Sequence, residues 1–335
     1  MALFTQGRGL PKCRSTSWLA RGFALLLVLA VIAPATAAPR LFVDDTGRSV
    51  SVPERPLRIV SLDDVNITVP LIELGVMPVG SQGRVGPGGH RFLRGSLILT
   101  GVDFDNSEIG FLGTQPVDVE AVAALKPDLI ITLSHRPTPV AQLQEIAPTV
   151  VLDETVRSAF EIYGVLAELS GRQAEAAVLE RRYQAQLAQL RSIGDLGKIS
   201  VSVISATGDG KINIERTYGS FGGVLRDAGL RFPAMIDAIP DNRNIDVSPE
   251  ALPELDADFV FDTYRGDKGE TPLDAEARMA AILPDYCRFL SACAKGRYIV
   301  IPRDEAKAIS YQGRSLAIGM LTSLLSVAGP AAGKP

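Results

Sequence analysis

The sequence predicts an α/β protein built from two similar lobes, each with a parallel sheet, joined by one long helix and enclosing a ligand cleft. Three observations support this fold class. Short apolar strands alternate with helices twice along the chain, which is the pattern of parallel sheets covered by helices. An amphipathic helix over 172–192 separates the two runs. The segment 120–131 also recurs at 250–261, where a glutamate–alanine pair, a leucine and an aspartate are all offset by 130 positions.

The separating segment, called the backbone helix below, reads RQAEAAVLERRYQAQLAQLRS from Arg172 to Ser192. Apolar residues recur on one face at spacings of three and four; they are Ala176, Leu179, Tyr183, Leu187 and Leu190. Gly171 and Gly194 flank the segment and favour helix ends there. At about 1.5 Å per residue the helix spans roughly 30 Å, the width of a small domain. It therefore fits a strut between two lobes; an ordinary surface helix of a single domain is the alternative.

The first 37 residues are typical of a signal peptide. Their basic residues are Arg8, Lys12, Arg14 and Arg21, and no acidic residue accompanies them. The apolar run 22–32 has 11 residues, whereas a membrane span needs about 20, and small residues follow at 35–37. We therefore expect a secretory signal with cleavage after Ala37; a retained N-terminal anchor is the alternative. The cleavage position has no cysteine, which argues against a lipid anchor.

Composition limits the kind of partner. Cleavage would remove four of the 34 basic residues and none of the 38 acidic ones, so the net charge would become −8. An acidic chain without a basic stripe is not expected to bind nucleic acid. Cys287 and Cys293 lie close together in sequence, which predicts a disulfide in an oxidising compartment. A metal site on this pair is the weaker alternative, because His90 and His135 are the only histidines.

The N-terminal half begins with a hairpin over 41–52, because the residues at 44–47 supply a turn. Asn66 can cap the first helix, whose first turn tolerates Pro70. The predicted strands are 58–62, 76–80, 128–133 and 149–152, and the predicted helices are 67–74, 117–125 and 140–145. The segment 81–114 starts with a glycine-rich loop and shows no regular pattern.

The C-terminal half repeats the alternation. Its predicted strands are 199–204, 212–214, 259–261 and 298–301, and its predicted helices are 221–228, 248–255 and 312–327. The expected organisation is a signal peptide at 1–37, an N-terminal lobe at 38–160, a linker with the backbone helix at 161–195 and a C-terminal lobe at 196–335. Because ligands of open parallel sheets collect at the carboxyl ends of the strands, we expect the loops there to form the cleft.

The sequence resembles those of the periplasmic binding proteins of iron–siderophore ABC importers. This class has a single backbone helix and also includes haem and vitamin B12 binders. The resemblance rests on DDTGRSVSVPERPLRIVSL at 44–62, ELGVMPVG at 73–80, PVDVEAVAALKPDLIIT at 116–132, IAPTVVLD at 146–153 and YGSFGGVLRDAGL at 218–230. It implies two lobes with limited hinge motion, a ligand between them and delivery to an inner-membrane ABC permease. It also implies a binding protein without a cofactor of its own, since iron arrives within the ligand, and we expect a monomer.

An anionic ferric siderophore of the citrate or catecholate type is the favoured ligand, because the planar arginine fork suits such oxygens and stays charged. The candidate ligand-binding arginines are Arg84, Arg136, Arg216, Arg265 and Arg314, and the candidate aromatic contacts are Tyr218 and Tyr264. The polar loop 242–244 is a further segment that could reach the cleft. For each arginine the alternative is a solvated surface charge.

Other functions fit the sequence less well. A haem binder would use Tyr218, Tyr264 or His135 as an axial ligand, and a corrinoid binder would want more aromatic walls. A zinc or manganese binder needs more histidines. Catalysis is not expected, because 218–222 lacks the first glycine of a nucleophile elbow and 208–213 does not complete a dinucleotide fingerprint.

Docking on the permease is the remaining expectation from the resemblance. The family usually uses one acidic residue on each lobe near the first helix, but Val69 occupies the expected early position here. Glu73 and Asp227 are acidic residues at matching positions of the two lobes, offset by 154. We therefore expect these two residues to contact the permease; a solvated surface role is the alternative.

Overall fold

The computed structural model describes residues 39–328. The predicted signal peptide at 1–37 and its cleavage position lie outside the described residues. Within the described part of the chain, no helix combines the length and the apolar character that crossing a membrane requires. Each half of the sequence forms one five-stranded sheet with helices packed on it.

The first half forms a sheet in which every strand pair is parallel. Its strands and two separate hairpins are β1 (Arg40–Val43), β2 (Ser49–Val52), β3 (Ile59–Ser61), β4 (Gly80–Ser81), β5 (Arg84–Val85), β6 (Arg91–Phe92), β7 (Gly110–Phe111), β8 (Leu129–Leu133) and β9 (Thr149–Leu152). The order across the sheet is β7–β4–β3–β8–β9, while β1 pairs with β2 and β5 with β6 in antiparallel hairpins. The predicted opening hairpin is therefore present.

Short helices cover this sheet: α1 (Val69–Glu73), α2 (Ser96–Thr100), α3 (Val119–Ala124), α4 (Val140–Gln144) and α5 (Ala159–Ser170). A π-helical turn, Asp64–Thr68, leads directly into α1. Asp63 begins this turn, and its side chain accepts hydrogen bonds from the backbone N–H groups of Val65 and Asn66. This cap fixes the chain where it leaves β3, at the carboxyl edge of the sheet.

The backbone helix is α6 (Gln173–Arg191), close to its predicted bounds. The predicted apolar face is the face that packs, since Tyr183, Leu187 and Leu190 are buried. The chain enters α6 from α5 through Gly171, whose φ of 69° is the left-handed conformation that glycine adopts readily. Because α5 fills the whole segment 161–170, the predicted linker is helical from its start.

The second half forms a mixed sheet with the order β12–β11–β10–β13–β14. Its strands are β10 (Val201–Ala206), β11 (Ile212–Glu215), β12 (Asn244–Val247), β13 (Phe259–Tyr264) and β14 (Tyr298–Pro302). The strands β10, β13 and β14 are parallel, as predicted, whereas β11 and β12 are antiparallel additions at one edge. The edge strand β12 is largely exposed. Because exposed strands tolerate polar residues, its polar start at Asn244 was predicted as part of a loop.

The helices of the second half are α7 (Gly219–Asp227), α8 (Ala234–Asp237), α9 (Pro272–Ile282), α10 (Ser291–Ala294), α11 (Arg303–Lys307) and α12 (Tyr311–Ala328). The segment Pro249–Leu255, predicted as an α-helix, is a 3-10 helix that contains Pro253. A proline at this position cannot donate the backbone hydrogen bond that an α-helix interior requires. Cys287 and Cys293 form a disulfide with a Cα–Cα distance of 5.4 Å, and Cys293 packs on the core of this half.

One hydrophobic core runs through both halves at the end of the molecule that carries α6. It contains Leu129 and Val150 from the first sheet, Val203 from the second sheet, and Leu187 of α6. Separate smaller cores lie under the outer helices of each half. The two halves therefore share apolar surface that cannot be exposed without a large free-energy cost.

Candidate ligand-binding cleft

The two sheets present the carboxyl ends of their parallel strands to one cleft, which consists of two adjoining cavities of about 490 and 410 Å³. The larger cavity, called the Glu154 end, is lined by Asn66 and Glu154 among other residues. The smaller cavity, called the Arg303 end, is lined by Arg278 and Arg303 among others. Five residues line both cavities: Arg84, Arg94, Glu215, Asn244 and Lys307. The cleft therefore lies between the two lobes, as predicted.

The lining of the cleft is strongly basic, although the chain has a net charge of −4. Its arginines and lysines are Arg84, Arg94, Arg136, Arg157, Arg243, Arg265, Lys268, Arg278, Arg303 and Lys307. Its acidic residues are Glu154, Glu215, Asp246 and Asp267. Guanidinium groups in such number favour a ligand rich in anionic oxygen atoms.

Arg84 and Arg136, two of the predicted ligand-binding residues, line the Glu154 end and are held from behind by buried aspartates. Arg84 donates to Asp64 from Nε at 2.7 Å and from Nη2 at 3.2 Å. Arg136 pairs with Asp63. Both aspartates are fully buried at the end of β3. Burial lowers the pKa of Arg136, although the charge of Glu154 acts in the opposite direction.

Other cations of the cleft repeat this arrangement. Arg157 donates from Nε to Asp45 at 2.7 Å, and Lys307 pairs with Glu215. Such pairs fix the direction of each side chain and leave its remaining N–H groups available to a ligand. By contrast, Arg243 has no carboxylate partner within 4 Å among residues 39–328.

At the Arg303 end, Glu270 holds two arginines. Arg265, a predicted site residue, donates to it from Nε at 2.7 Å, and Arg278 pairs with its second oxygen. Arg303 follows β14 directly and has no carboxylate partner within 4 Å in the described part of the chain. This end therefore carries more positive charge than its carboxylates neutralise.

Arg94 and Asp304 meet across the boundary between the two lobes, with 3.8 Å between Nε and Oδ1. Burial raises the pKa of Asp304 to about 6, although Arg94 acts in the opposite direction. The backbone N–H of Asp267 donates to the other oxygen of Asp304 at 2.9 Å. This ion pair contacts both lobes beside the cleft, so protonation of Asp304 removes one attraction between them.

Tyr218 lines the Arg303 end but offers little surface to a ligand. It is only 4% exposed, and its hydroxyl lies 3.1 Å from the hydroxyl of Thr263. Burial raises the pKa of Tyr218, so the phenol stays protonated. Its ring contributes to the wall of the cleft, with the Lys307 ammonium 5.1 Å from the ring centroid.

Tyr264, a predicted site residue, does not line the cleft. Side chains of a strand alternate between its two faces, and Thr263 and Arg265 occupy the face toward the cleft. Tyr264 instead borders an apolar groove of about 360 Å³ that also contacts Leu316 of α12. The prediction used the position of Tyr264 after a strand but not the direction of its side chain.

Arg216 fails to reach the cleft for the same reason. Asn213 and Glu215 of β11 line the cleft, so the alternation directs Arg216 away from it. Its guanidinium instead binds Asp237 at 2.7 Å and Asp241 at 3.2 Å on the outer surface. It stabilises the connection between β11 and α8 and does not border the cleft.

Arg314, also predicted to bind the ligand, is a buried residue of α12 that packs between helices. Its guanidinium carbon lies 3.2 Å from the ring centroid of Phe160 and 4.2 Å from that of Tyr183. Its Nη2 atom lies 3.8 Å from Oδ2 of Asp227. These contacts join α12 to α5 and to the backbone helix, and they leave the side chain no path to the cleft.

The two predicted docking acids lie near this cluster. The Glu73 carboxylate accepts hydrogen bonds from Ser310 Oγ at 2.6 Å and from the backbone N–H of Gln312 at 2.9 Å, so it is occupied by the start of α12. It is not a free surface acid. Asp227 accepts from the Tyr183 hydroxyl at 2.6 Å but remains 43% exposed.

Several cleft residues were not predicted. Arg303 directly follows β14 and Glu154 follows β9, so the rule that selected Arg84 would also have found them. Arg278 and Lys307 come from helices whose position relative to the sheet the sequence does not give. The predicted polar loop 242–244 does line the Glu154 end. Within residues 39–328, no group of three or more histidine, cysteine, aspartate or glutamate side chains could hold a metal ion.

Comparison with known proteins agrees with this architecture. The iron(3+)-hydroxamate-binding protein YxeB of Bacillus subtilis (strain 168) is 29% identical over 164 residues, which cover 47% of this chain and 50% of YxeB. The chain thus matches half the length of this relative. The Fe(3+) dicitrate-binding periplasmic protein FecB of Escherichia coli (strain K12) is 28% identical over 215 residues, covering 62% of this chain and 66% of FecB.

A solved structure and a family model complete the comparison. Staphylococcus aureus SirA complexed with staphyloferrin B has the same fold, with a TM-score of 0.68 and 21% identity over 85% of this chain and 97% of that one. A family model described as periplasmic binding protein matches residues 100–278. Because this match covers more than half of the chain, the protein belongs to the periplasmic binding protein family.

Proposed function

We propose that the protein captures a ferric siderophore in the periplasm and delivers it to an inner-membrane ABC permease for iron uptake. The single observation that supports this function is the cleft between the lobes, whose lining is rich in arginines that buried carboxylates hold in place. A chelate anionic through citrate or catecholate oxygens fits this lining best. FecB, one of the relatives, is named for binding ferric dicitrate.

The arginines that buried carboxylates hold in place would act as preformed binding groups. In the pair of Arg84 and Asp64 the aspartate fixes the guanidinium before a ligand arrives, so binding loses less side-chain entropy. The unpaired Arg243 and Arg303 supply the net positive charge, one at each end of the cleft. A ligand that contacts both lobes would then favour a slightly closed arrangement.

Delivery to the permease requires a surface that both lobes present. Asp227 remains partly exposed and stays a proposed docking residue. Glu73 is bonded to the start of α12, so it would have to act through the position of that helix.

Binding of haem or a corrinoid is the alternative within the same class. Of the three proposed axial ligands, Tyr218 is buried and Tyr264 borders the apolar groove. His135 lines the Glu154 end and would be the remaining axial ligand. Haemin binding that is lost in His135→Ala would favour this alternative.

The test is thermal unfolding of the protein, purified after expression of the full chain, against ferric dicitrate, ferric catecholates, ferric hydroxamates, haemin and cobalamin. A ligand at about 100 times its Kd adds about 2.7 kcal/mol to the free energy of unfolding. We expect stabilisation by an anionic ferric chelate, with a reduced shift in Arg243→Gln and Arg303→Gln. Arg181→Gln, an exposed charge change on α6, is the matched control. A folded protein that no ferric chelate stabilises would contradict the proposed function.

A further inference from the structure

The Glu154 end of the cleft holds a carboxylate whose contacts within residues 39–328 are a histidine and an amide. The Glu154 side chain is 37% exposed, and its Oε2 atom lies 3.2 Å from Nδ1 of His135. Its Oε1 atom accepts a hydrogen bond from Nδ2 of Asn66 at 2.8 Å. Among residues 39–328, no lysine or arginine nitrogen lies within 4 Å of this carboxylate. Glu215, the other acid of this end, is paired with Lys307.

The protein also fixes the direction of this carboxylate. The backbone N–H of Asn66 donates to Asp63 at 2.7 Å, so the amide that binds Glu154 is itself anchored. Each oxygen of Glu154 has one partner on the protein side and keeps acceptor capacity toward the cleft. The neighbouring Arg136 and Arg157 are already paired with buried aspartates. Glu154 therefore presents a hydrogen-bond acceptor with negative charge in a lining that is otherwise basic.

We propose that Glu154 determines ligand specificity by binding a protonated amine of the chelate, whose anionic oxygens lie toward the Arg303 end. This inference rests on the proposed function and narrows its ligand class to ferric chelates of mixed charge. An ammonium group at this position gains a charge-assisted hydrogen bond. A carboxylate or catecholate at the same position is repelled by Glu154, so a purely anionic chelate binds less tightly than the arginines alone would allow.

Glu154→Gln tests the inference, because it removes the charge and keeps the shape and one acceptor. The probes are ferric dicitrate, which carries only anionic groups, and ferrioxamine B, a ferric hydroxamate with one free terminal ammonium group. Isothermal titration calorimetry gives the Kd of each probe for the wild type, for Glu154→Gln and for Glu120→Gln, an exposed control outside the cleft. We expect the Kd of ferric dicitrate to fall and that of ferrioxamine B to rise, each by at least about fivefold, the size of one interaction between unit charges about 4 Å apart at the dielectric constant of water.

Opposite responses of the two probes separate this role from a structural one, since a distorted cleft would weaken both. A Kd of ferric dicitrate that rises or does not change in Glu154→Gln, or a Kd of ferrioxamine B that falls or does not change, would overturn the inference and leave the proposed function intact. A wild type that binds neither these probes nor the other ferric chelates would contradict the proposed function as well.

Discussion

Replacement of Glu73 by alanine is expected to destabilise the protein, because this side chain of α1 anchors the start of α12. Its carboxylate accepts from Ser310 Oγ at 2.6 Å and from the Tyr163 hydroxyl at 3.3 Å. It also accepts from the backbone N–H groups of Tyr311 at 3.0 Å and Gln312 at 2.9 Å, which have no partner within the helix at its first turn.

The magnitude follows from these four contacts. A hydrogen bond to a charged group contributes about 1.5–3 kcal/mol, and a negative charge at a helix start about 0.3–1 kcal/mol. Two effects offset the sum: burial of the Glu73 carboxylate costs free energy and raises its pKa, and water can replace part of the lost partners. We therefore expect Glu73→Ala to lower the free energy of unfolding by about 2–4 kcal/mol, the range of a broken buried network.

Urea unfolding followed by circular dichroism measures this loss, with Glu120→Ala as an exposed control. Glu73→Gln adds a pH test. Because the folded pKa of Glu73 is raised above 4.5, the wild type loses stability as pH rises through that range, whereas the glutamine variant does not titrate here. The stability advantage of the wild type over Glu73→Gln should therefore shrink from pH 4 to pH 7. A loss below about 0.5 kcal/mol in Glu73→Ala, the size of a surface substitution, or an advantage that grows with pH, would refute this reasoning.

Three further predictions concern packing and titration. Gly219→Ala should destabilise the protein by more than about 2 kcal/mol, because φ is 53° and a Cβ would lie 2.4 Å from the Lys307 backbone. Urea unfolding measures this loss. Gly194→Ala is the control, because a Cβ there meets nothing within 4 Å. Burial raises the pKa of Asp262 to about 6 from 3.8, so its contribution is present at low pH and is lost as pH rises between these values. Asp262→Asn should remove this decline, worth at most about 3 kcal/mol; an unchanged profile of stability against pH would count against it. Arg314→Lys should lower the free energy of unfolding by about 0.5–2 kcal/mol through lost stacking on aromatic rings, and it should leave the Kd of ferric dicitrate unchanged. A weaker affinity in a folded variant would show that Arg314 contributes to the cleft.

Sequence patterns predicted both the amphipathic backbone helix and the fully buried strand β9. The backbone helix and β9 fall within one residue of their predicted bounds. The helix α5 was missed although its exposed residues Glu161, Gly164 and Glu168 lie on one face and Ser158 with Glu161 forms a capping box. The two-residue strands β5, β6 and β7 were missed because so short a segment carries no period.

The sequence predicted the position of the cleft but only some of the residues that line it. The rule that ligands bind at the carboxyl ends of strands selected Arg84, Arg136 and Arg265 correctly as lining residues. Adding the two-residue alternation of a strand would have removed Arg216 and Tyr264 from the set. No local rule predicts the buried partners, since the pair of Arg157 and Asp45, for example, is 112 residues apart in sequence. The sequence therefore did not predict the buried carboxylates that pair with several of the cleft arginines.

The internal repeat places two equivalent acidic residues at the helices that join the lobes. Glu73 and Asp227 occupy matching positions of the two lobes, and each binds a tyrosine of the helix pair that joins them: Glu73 contacts Tyr163 of α5, and Asp227 contacts Tyr183 of α6. The rings of Tyr163 and Tyr183 both lie against Tyr311 of α12, at centroid distances of 4.9 and 6.3 Å. The two lobes thus hold the same three-helix junction through equivalent acids. A rotation of one lobe relative to the other would therefore disturb these contacts as well as the shared core.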